Sequence, residues 1–364
     1  MENSGKKIFV ALSGGVDSSV AAALLKKKGY GVTGVFIKGW YPDFLPCNWR
    51  EDRRDAMRVC AKLNIPFLTL DTGKEYKKSV IDYMIKEYRT GRTPNPDVMC
   101  NKHIKFGVFL DFAKKNGVDF IATGHYASRV ENRKSKVESR YKLKISRDRD
   151  KDQSYFLWTL TQEQLARTLF PVGHLTKKEV RLIARKFNLP TSEKKDSQGI
   201  CFLGEVNLKD FLKNYIKSPR GLVLNTLGEK IGEHDGVLFL TVGQRHGFKA
   251  DNRNTNSKPL YIVDRDVMRN TVTVSEEIRV DTENLGIKRI ILENPNWISG
   301  EPRQGAKYRV RLRYRQEPIM GSYRKEKHLE VIELEKSFFG AANGQSLVVY
   351  GKGVSLGGGI IKVS

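Results

Sequence analysis

Lys7-Ile8-Phe9-Val10-Ala11-Leu12-Ser13-Gly14-Gly15-Val16-Asp17-Ser18-Ser19 decides how the N-terminal half is read. An apolar run ends in a Ser-Gly-Gly turn, and helix-compatible residues follow through 21–28 until Gly29 stops them. A strand turning into a helix over two glycines leaves free backbone N–H groups and the positive helix end at Ser18 and Ser19, which favours an anion. Asp17 is a poor phosphate contact but a sensible magnesium ligand or helix cap. The pattern is neither the Walker loop, which needs Gly-Lys-Ser/Thr, nor the dinucleotide fingerprint. A glycine turn with ordinary capping accounts for the same residues, so the loop alone leaves both readings open.

Outward from the loop, strands at 32–37, 67–70 and 120–123 alternate with helices at 50–63, 75–88 and 105–115. Ala56, Val59, Cys60 and Leu63 fall on one helical face, as do Phe106, Phe109, Leu110 and Ala113. Arg92-Thr93-Pro94-Asn95-Pro96 forbids regular structure, so 97–101 is expected to start from a loop. This alternation predicts an α/β domain with a mostly parallel sheet covered on both faces. Between Arg133 and Lys151 nine Lys or Arg stand against three acids, a basic excursion that is part strand and part loop. Helices are expected at 162–169, 177–187 and 208–215, the second capped by Thr176 with Glu179 three residues on.

After Pro219 the texture changes to short β-type runs divided by glycines. Tyr308-Arg309-Val310-Arg311-Leu312-Arg313-Tyr314 alternates with period two, giving one apolar and one basic face. The plain alternative for its arginines is a solvated strand face. The expected units are a catalytic domain over 1–216, a small linking domain over 217–270 and a β-barrel-like domain over 271–364.

Lys and Arg total 65 against 41 Asp and Glu, a formal charge of +24. That balance favours an anionic partner, nucleic acid first, with a solubilising surface bias as the bland alternative. No apolar run approaches the roughly 20 residues a membrane span needs, and the polar start leaves no room for a secretory signal. Cys47, Cys60, Cys100 and Cys201 resemble neither a disulfide framework nor a compact zinc site, so a reducing, cytoplasmic setting is expected.

The Ser13–Ser19 loop resembles that of the pyrophosphatase-loop enzymes, which cleave ATP between its α and β phosphates and transfer AMP. The resemblance spreads through Gly91-Arg92-Thr93-Pro94-Asn95-Pro96-Asp97-Val98-Met99-Cys100-Asn101, Ala122-Thr123-Gly124-His125-Tyr126 and Lys151-Asp152-Gln153-Ser154-Tyr155-Phe156-Leu157. It continues through Lys195-Asp196-Ser197-Gln198-Gly199-Ile200-Cys201-Phe202 and Gly243-Gln244-Arg245. The set, in this order, is similar to the bacterial and mitochondrial tRNA 2-thiouridylases (the MnmA family).

The resemblance implies an adenine nucleotide alpha hydrolase-like domain, ATP and magnesium, and a tRNA carrying a wobble uridine, of the Lys, Glu or Gln type. Ala11, Leu12, Ser13, Gly14, Gly15, Val16, Asp17 and Ser18 would line ATP, with Gly124 close by. Ile37 would stand beside the adenine, where the family commonly has methionine. Asn95, Pro96 and Asp97 would meet the target base, Asp97 as acid–base or orienting group. Lys151, Asp152, Gln153, Arg313 and Tyr314 would contact the tRNA. Cys201 would carry sulfur as a persulfide received from a donor protein. Cys100 would attack it, or resolve the product through a disulfide with Cys201. Read by themselves, both cysteines also suit small core positions. Free sulfide and the persulfide itself are both open as the species that attacks the base.

Two rival readings remain at this level. Another ATP-pyrophosphatase acting on a small carboxylate would have no use for two distant cysteines. An RNA-binding protein on a retired nucleotide fold would tolerate changes at Asp17, Cys100 and Cys201.

Overall fold

The computed structural model describes residues 5–45, 49–132, 141–196, 199, 207–251, 257–276 and 286–363. Cys47 and Cys201 therefore lie outside the described residues.

The first sheet takes β1 (Lys7–Ala11), β2 (Gly31–Lys38), β3 (Phe67–Asp71) and β4 (Phe120–Ala122). Next in the chain come the hairpin strands β5 (Ala127–Glu131) and β6 (Tyr141–Ile145), and then the short β7 (Thr168–Leu169). The order β3-β2-β1-β4-β7 is parallel at every pairing. Ile8 and Val10 are fully buried, as runs flanked by helices on both faces require. The helix Val16–Lys27 starts directly at the loop rather than at residue 21, with Gly15 as an extended N-cap. Its Ala21, Ala22 and Ala23 are buried, small enough to bring the helix onto the sheet.

Two local expectations change. Residues 162–169 do not form one helix: Gln162–Ala166 ends after a Thr161–Gln164 capping box, and Ile121 N–H then bonds the Arg167 carbonyl, recruiting β7 as a strand. Residues 97–101 do follow a loop, 92–95, but regular structure begins at Pro96, inside the motif expected to forbid it. Asn95 caps a helix whose first residue is Pro96, and helical turns continue to Lys115. Proline is suited to that first position because its missing N–H would have no partner there.

The central unit is a five-stranded sheet of β8 (Gly221–Leu224), β9 (Lys230–His234), β10 (Phe248–Ala250), β11 (Tyr261–Asp266) and β12 (Thr271–Ser275), in the order β10-β9-β8-β12-β11. It thus reaches Ser275, past the boundary expected at 270.

The C-terminal strands are β13 (Ile287–Asn296), β14 (Lys307–Arg311), β15 (Ile319–Glu326), β16 (Leu329–Phe338), β17 (Ser346–Gly351) and β18 (Val354–Val363). Antiparallel pairing of β13 with both β16 and β18 closes them into a six-stranded barrel. β18 was hidden in the sequence by Gly357-Gly358-Gly359. Gly357 has φ +142°, and a Cβ there would lie 1.9 Å from the Asn296 carbonyl oxygen. The run expected over 308–314 ends at Arg311, because the Gln316 side chain accepts the Leu312 and Arg313 N–H groups and turns the chain.

β6 pairs with β18, so the hairpin at the basic excursion extends the barrel sheet. One apolar core also crosses the units: Phe9, Met84 and Phe109 share it with Phe239 of the central unit and with Val348, Tyr350 and Ile360 of the barrel. Among the described residues no helix is long and apolar enough to cross a membrane.

Candidate nucleotide and RNA site

The Ser13–Ser19 loop is wound on its own hydroxyls. Ser18 and Ser19 donate to the Gly15 carbonyl at 3.1 and 2.7 Å, and Ser13 N–H donates to Ser18 Oγ at 3.2 Å. Gly14, at φ +75°, lies so close to the helix Trp49–Leu63 that a Cβ would meet the Asp52 carbonyl oxygen at 2.4 Å. A Cβ on Gly124 would lie 2.6 Å from the Ser18 nitrogen, so β4 can end against the helix start only because this residue is glycine. Ala11 borders the apolar cluster in which Ile37 is buried, while Leu12 and Val16 are buried in a second cluster.

Asp17 is held from two sides. Tyr126 Oη donates to it at 2.8 Å, and Lys177 Nζ reaches both carboxylate oxygens at 2.7 and 2.8 Å. Burial, then the neighbouring Asp17 charge, raises the Tyr126 hydroxyl pKa, so it stays a donor. Lys177 is also 2.8 Å from Asp196, whose carboxylate takes Arg181 at 2.9 Å and Lys151 at 2.7 Å. Burial pushes the Asp196 pKa up, but the bonds from Lys151 and Lys177 outweigh it and hold the group at about 2. Lys194 bridges Asp52 and Asp55, tying the same segment to the helix beside the loop. Roles for Tyr126, Lys177 and Asp196 were missed in the sequence. Tyr126 and Asp196 sit inside the quoted motifs, and Lys177 directly follows the cap at Thr176. Nothing local, however, reports a partner 160 residues away.

The tRNA-facing trio expected at 151–153 has protein partners throughout. Lys151 binds Asp196. Gln153 clamps Tyr126 by exchanging backbone and side-chain bonds at 2.8 and 3.0 Å. Asp152 is buried, accepting Ser146 and Ser154 N–H, Ser154 Oγ and Arg311 Nη1. The next turn, Ser154–Leu157, meets the helix that starts after Asn95: Asn101 donates to the Phe156 carbonyl, and the Asn95 side chain bonds Tyr155. A continuous set of contacts thus joins the Asp17 loop, Tyr126, Gln153 and the Asn95–Asp97 helix start.

Cys100 follows that start and is fully buried. Cys60 is buried too, and desolvation pushes its thiol up to about 11, as suits a core residue. His125 is a second inert group: buried against Phe106 and Phe170, with Nδ1 on Thr123 Oγ1, it has a pKa driven well below the ordinary value by burial.

All three units meet at residues 91–93. Arg265 of the central unit donates to the Gly91 carbonyl, Thr93 N–H donates to Asn343 of the barrel, and Arg92 pairs with Glu87 and Glu293. Arg313 turns inward, donating to the Val242 and Gly340 carbonyls at 2.7 and 2.5 Å. Tyr314 packs on Phe156 with ring centres 4.5 Å apart. Positive charge lies open instead along a groove of about 1230 Å³ between residues 149–151 and the barrel, which includes Arg149, Lys151, Arg309, Arg315 and Lys352. Seven Lys or Arg line it against Asp150 and Glu317.

Family comparisons follow this layout. Residues 6–205 match the tRNA methyl transferase HUP domain, 209–276 the tRNA methyl transferase PRC-barrel domain, and 287–361 the aminomethyltransferase beta-barrel domain. The chain is 43% identical to the tRNA-specific 2-thiouridylase MnmA of Shewanella sp. (strain ANA-3) over 99% of its own length and 96% of that protein. It is 42% identical to that of Serratia proteamaculans (strain 568), covering 99% and 98% of the two chains. The solved U34-tRNA thiolase NcsA from Methanococcus maripaludis superposes at a TM-score of 0.37 and 18% identity, over 58% of this chain and 64% of that one.

Proposed function

The chain belongs to the tRNA-specific 2-thiouridylase (MnmA) family, and on that premise we propose that it replaces the C2 oxygen of the wobble uridine 34 of tRNA with sulfur, using ATP. The observation that carries the reading is the unbroken run of contacts from the Asp17 loop through Tyr126 and Gln153 to the Asn95–Asp97 helix start. A nucleotide on the loop and a base at Asn95–Asp97 are then served by one connected set of side chains.

The C2 oxygen is a poor leaving group. Attack of that oxygen on the α-phosphorus of ATP forms an O–P bond and releases pyrophosphate. A sulfur nucleophile then adds at C2, and AMP departs with the former carbonyl oxygen. Cys201 is assigned the persulfide, delivered by a donor protein. Cys100 thiolate attacks its inner sulfur, so that HS⁻ leaves and a Cys100–Cys201 disulfide remains, oxidised by the two electrons that the sulfide carries away. Asp97 orients the base or takes its proton.

Among the described residues no cluster of three His, Cys, Asp or Glu side chains is set to hold a metal. A single carboxylate, Asp17, would hold magnesium once Lys177, which now takes both its oxygens, yields them; magnesium keeps most of its waters and is bound jointly by phosphates. It would supply neutralisation of the phosphate charge. The 149–151 segment and the barrel groove are assigned the tRNA backbone, and the base is turned out of its loop to reach Asn95–Asp97.

Incubating the protein with tRNA, labelled ATP and a persulfide donor tests this. The expected products are AMP, pyrophosphate and 2-thiouridine. Asp17→Asn should lower their formation by about 100-fold or more, the loss typical of a lost charge-stabilising group. ADP and orthophosphate as the stoichiometric products would refute the reaction.

A further inference from the structure

Lys177 opens the helix Lys177–Lys186, with its backbone N–H bound to Asp148 Oδ2 at 2.9 Å. Asp148 Oδ1 takes the Lys151 N–H at 3.3 Å, so one carboxylate fixes the backbones of both lysines. Their ammonium groups then converge on Asp196, Lys177 on Oδ1 at 2.8 Å and Lys151 on Oδ2 at 2.7 Å. Lys177 simultaneously holds Asp17 of the loop and is only 14% exposed, whereas Lys151 lines the basic groove. Asp17–Lys177–Asp196–Lys151 is therefore an unbroken row of alternating charges from the loop to the groove.

We infer that Lys177 and Asp196 are positioning residues that couple occupancy of the Ser13–Ser19 loop to RNA binding at Lys151. The inference rests on the proposed function for the identity of the two ligands. The physical argument is competition for shared partners. With the loop as it stands, one ammonium divides itself between two carboxylates. A polyphosphate arriving with its divalent counter-ion satisfies Asp17, and Lys177 keeps the Asp196 bond it already has. Asp196 is then better neutralised, its hold on Lys151 weakens, and Lys151 is released to an RNA phosphate. Nucleotide should tighten RNA binding, and by linkage RNA should tighten nucleotide binding by the same factor. Asp17, Asp196 and Lys151 are 31%, 31% and 30% exposed by side chain, so these three can exchange partners with solvent at hand, while the enclosed Lys177 keeps a carboxylate throughout.

The experiment is a titration of tRNA into the full chain at fixed salt, with and without the magnesium complex of an ATP analogue whose α–β bridge is methylene. Wild type should bind tRNA about five- to tenfold more tightly with the analogue, at the low end of measured couplings. Lys177→Met and Asp196→Asn should each reduce that ratio to within about twofold, while Lys177→Arg, which retains the charge, restores much of it. Arg185→Gln breaks the exposed Arg185–Glu193 pair between the same helix and segment and should leave the ratio at its wild-type value. Wild-type coupling persisting in Lys177→Met or Asp196→Asn overturns the relay, as does wild type binding both ligands with no change between them. A wild-type chain that binds neither ligand removes the functional reading, and the relay with it.

Discussion

Asp196 and Asp152 stand at the two ends of one short stretch of site, yet they are held in opposite ways. Asp152 is buried, and its Arg311 partner has a side chain only 14% exposed, with serine donors on the remaining carboxylate positions. Asp196 is 31% exposed by side chain and takes three cations, two of which have other acceptors, Lys177 on Asp17 and Arg181 on the Ser192 and Lys194 carbonyls. A buried carboxylate with two hydrogen bonds on each oxygen can only be kept or lost, because removing it strands Arg311, whose Nε already has no hydrogen-bond partner among the described residues. A partly wet cluster can trade partners. The molecule thus sets a fixed joint between the N-terminal domain and the barrel beside a rearrangeable one at the Ser13–Ser19 loop.

The most forceful way to break this contrast is Asp152→Ala. Stranding Arg311 should cost about 3–5 kcal/mol, read as a lower denaturant midpoint with little change in slope. Asp196→Asn in the same assay should move the midpoint far less. Equal shifts for the two variants would erase the distinction.

A smaller effect is expected where charge meets the groove. Arg315 is exposed there, whereas Arg313 is spent on the Val242 and Gly340 carbonyls. Arg315→Glu should weaken tRNA binding and flatten the slope of log affinity against log salt by roughly 0.7 to 0.9 for each phosphate no longer neutralised. The Arg313→Met variant should chiefly lose stability, about 1–3 kcal/mol for two orphaned carbonyls. A salt slope changed by Arg313 and untouched by Arg315 would reverse the assignment.

The finest test is acid titration of the difference between wild type and Asp196→Asn. Asp196 titrates at about 2, against an ordinary 3.8. A lowered folded-state pKa means that its stabilisation is fully present above about pH 4 and fades as pH falls towards 2. The stability gap between the two proteins should therefore be level above pH 4 and shrink below it. A gap that starts to close near pH 6 would assign the effect to another group.

Much of this was legible in the chain because it is local. Strand, glycine turn and helix start follow one another in Lys7–Ser19, so the loop's geometry is written in adjacent residues. The Cys60 stripe, the Thr176 cap and the alternation before residue 124 are likewise short-range patterns of period, propensity and capping. The order of the motifs carried the family, and the net charge of +24 pointed to an anionic partner.

What only the tertiary structure decided are the pairings between residues far apart. Arg313 looked like one tooth of a basic strand face, but the strand stops at Arg311 and the guanidinium turns into the joint with the central unit. Asp152 looked like an RNA contact and is the buried partner of Arg311, 159 residues away. The closure of β13 on β18, the hairpin β5–β6 joining that barrel, and Lys177 reaching back to Asp17 have no local signature either. Periodicity and capping report what a residue does to its neighbours within a turn or two. Which distant carboxylate an ammonium finds is settled only when the apolar faces have packed and fixed where each backbone lies.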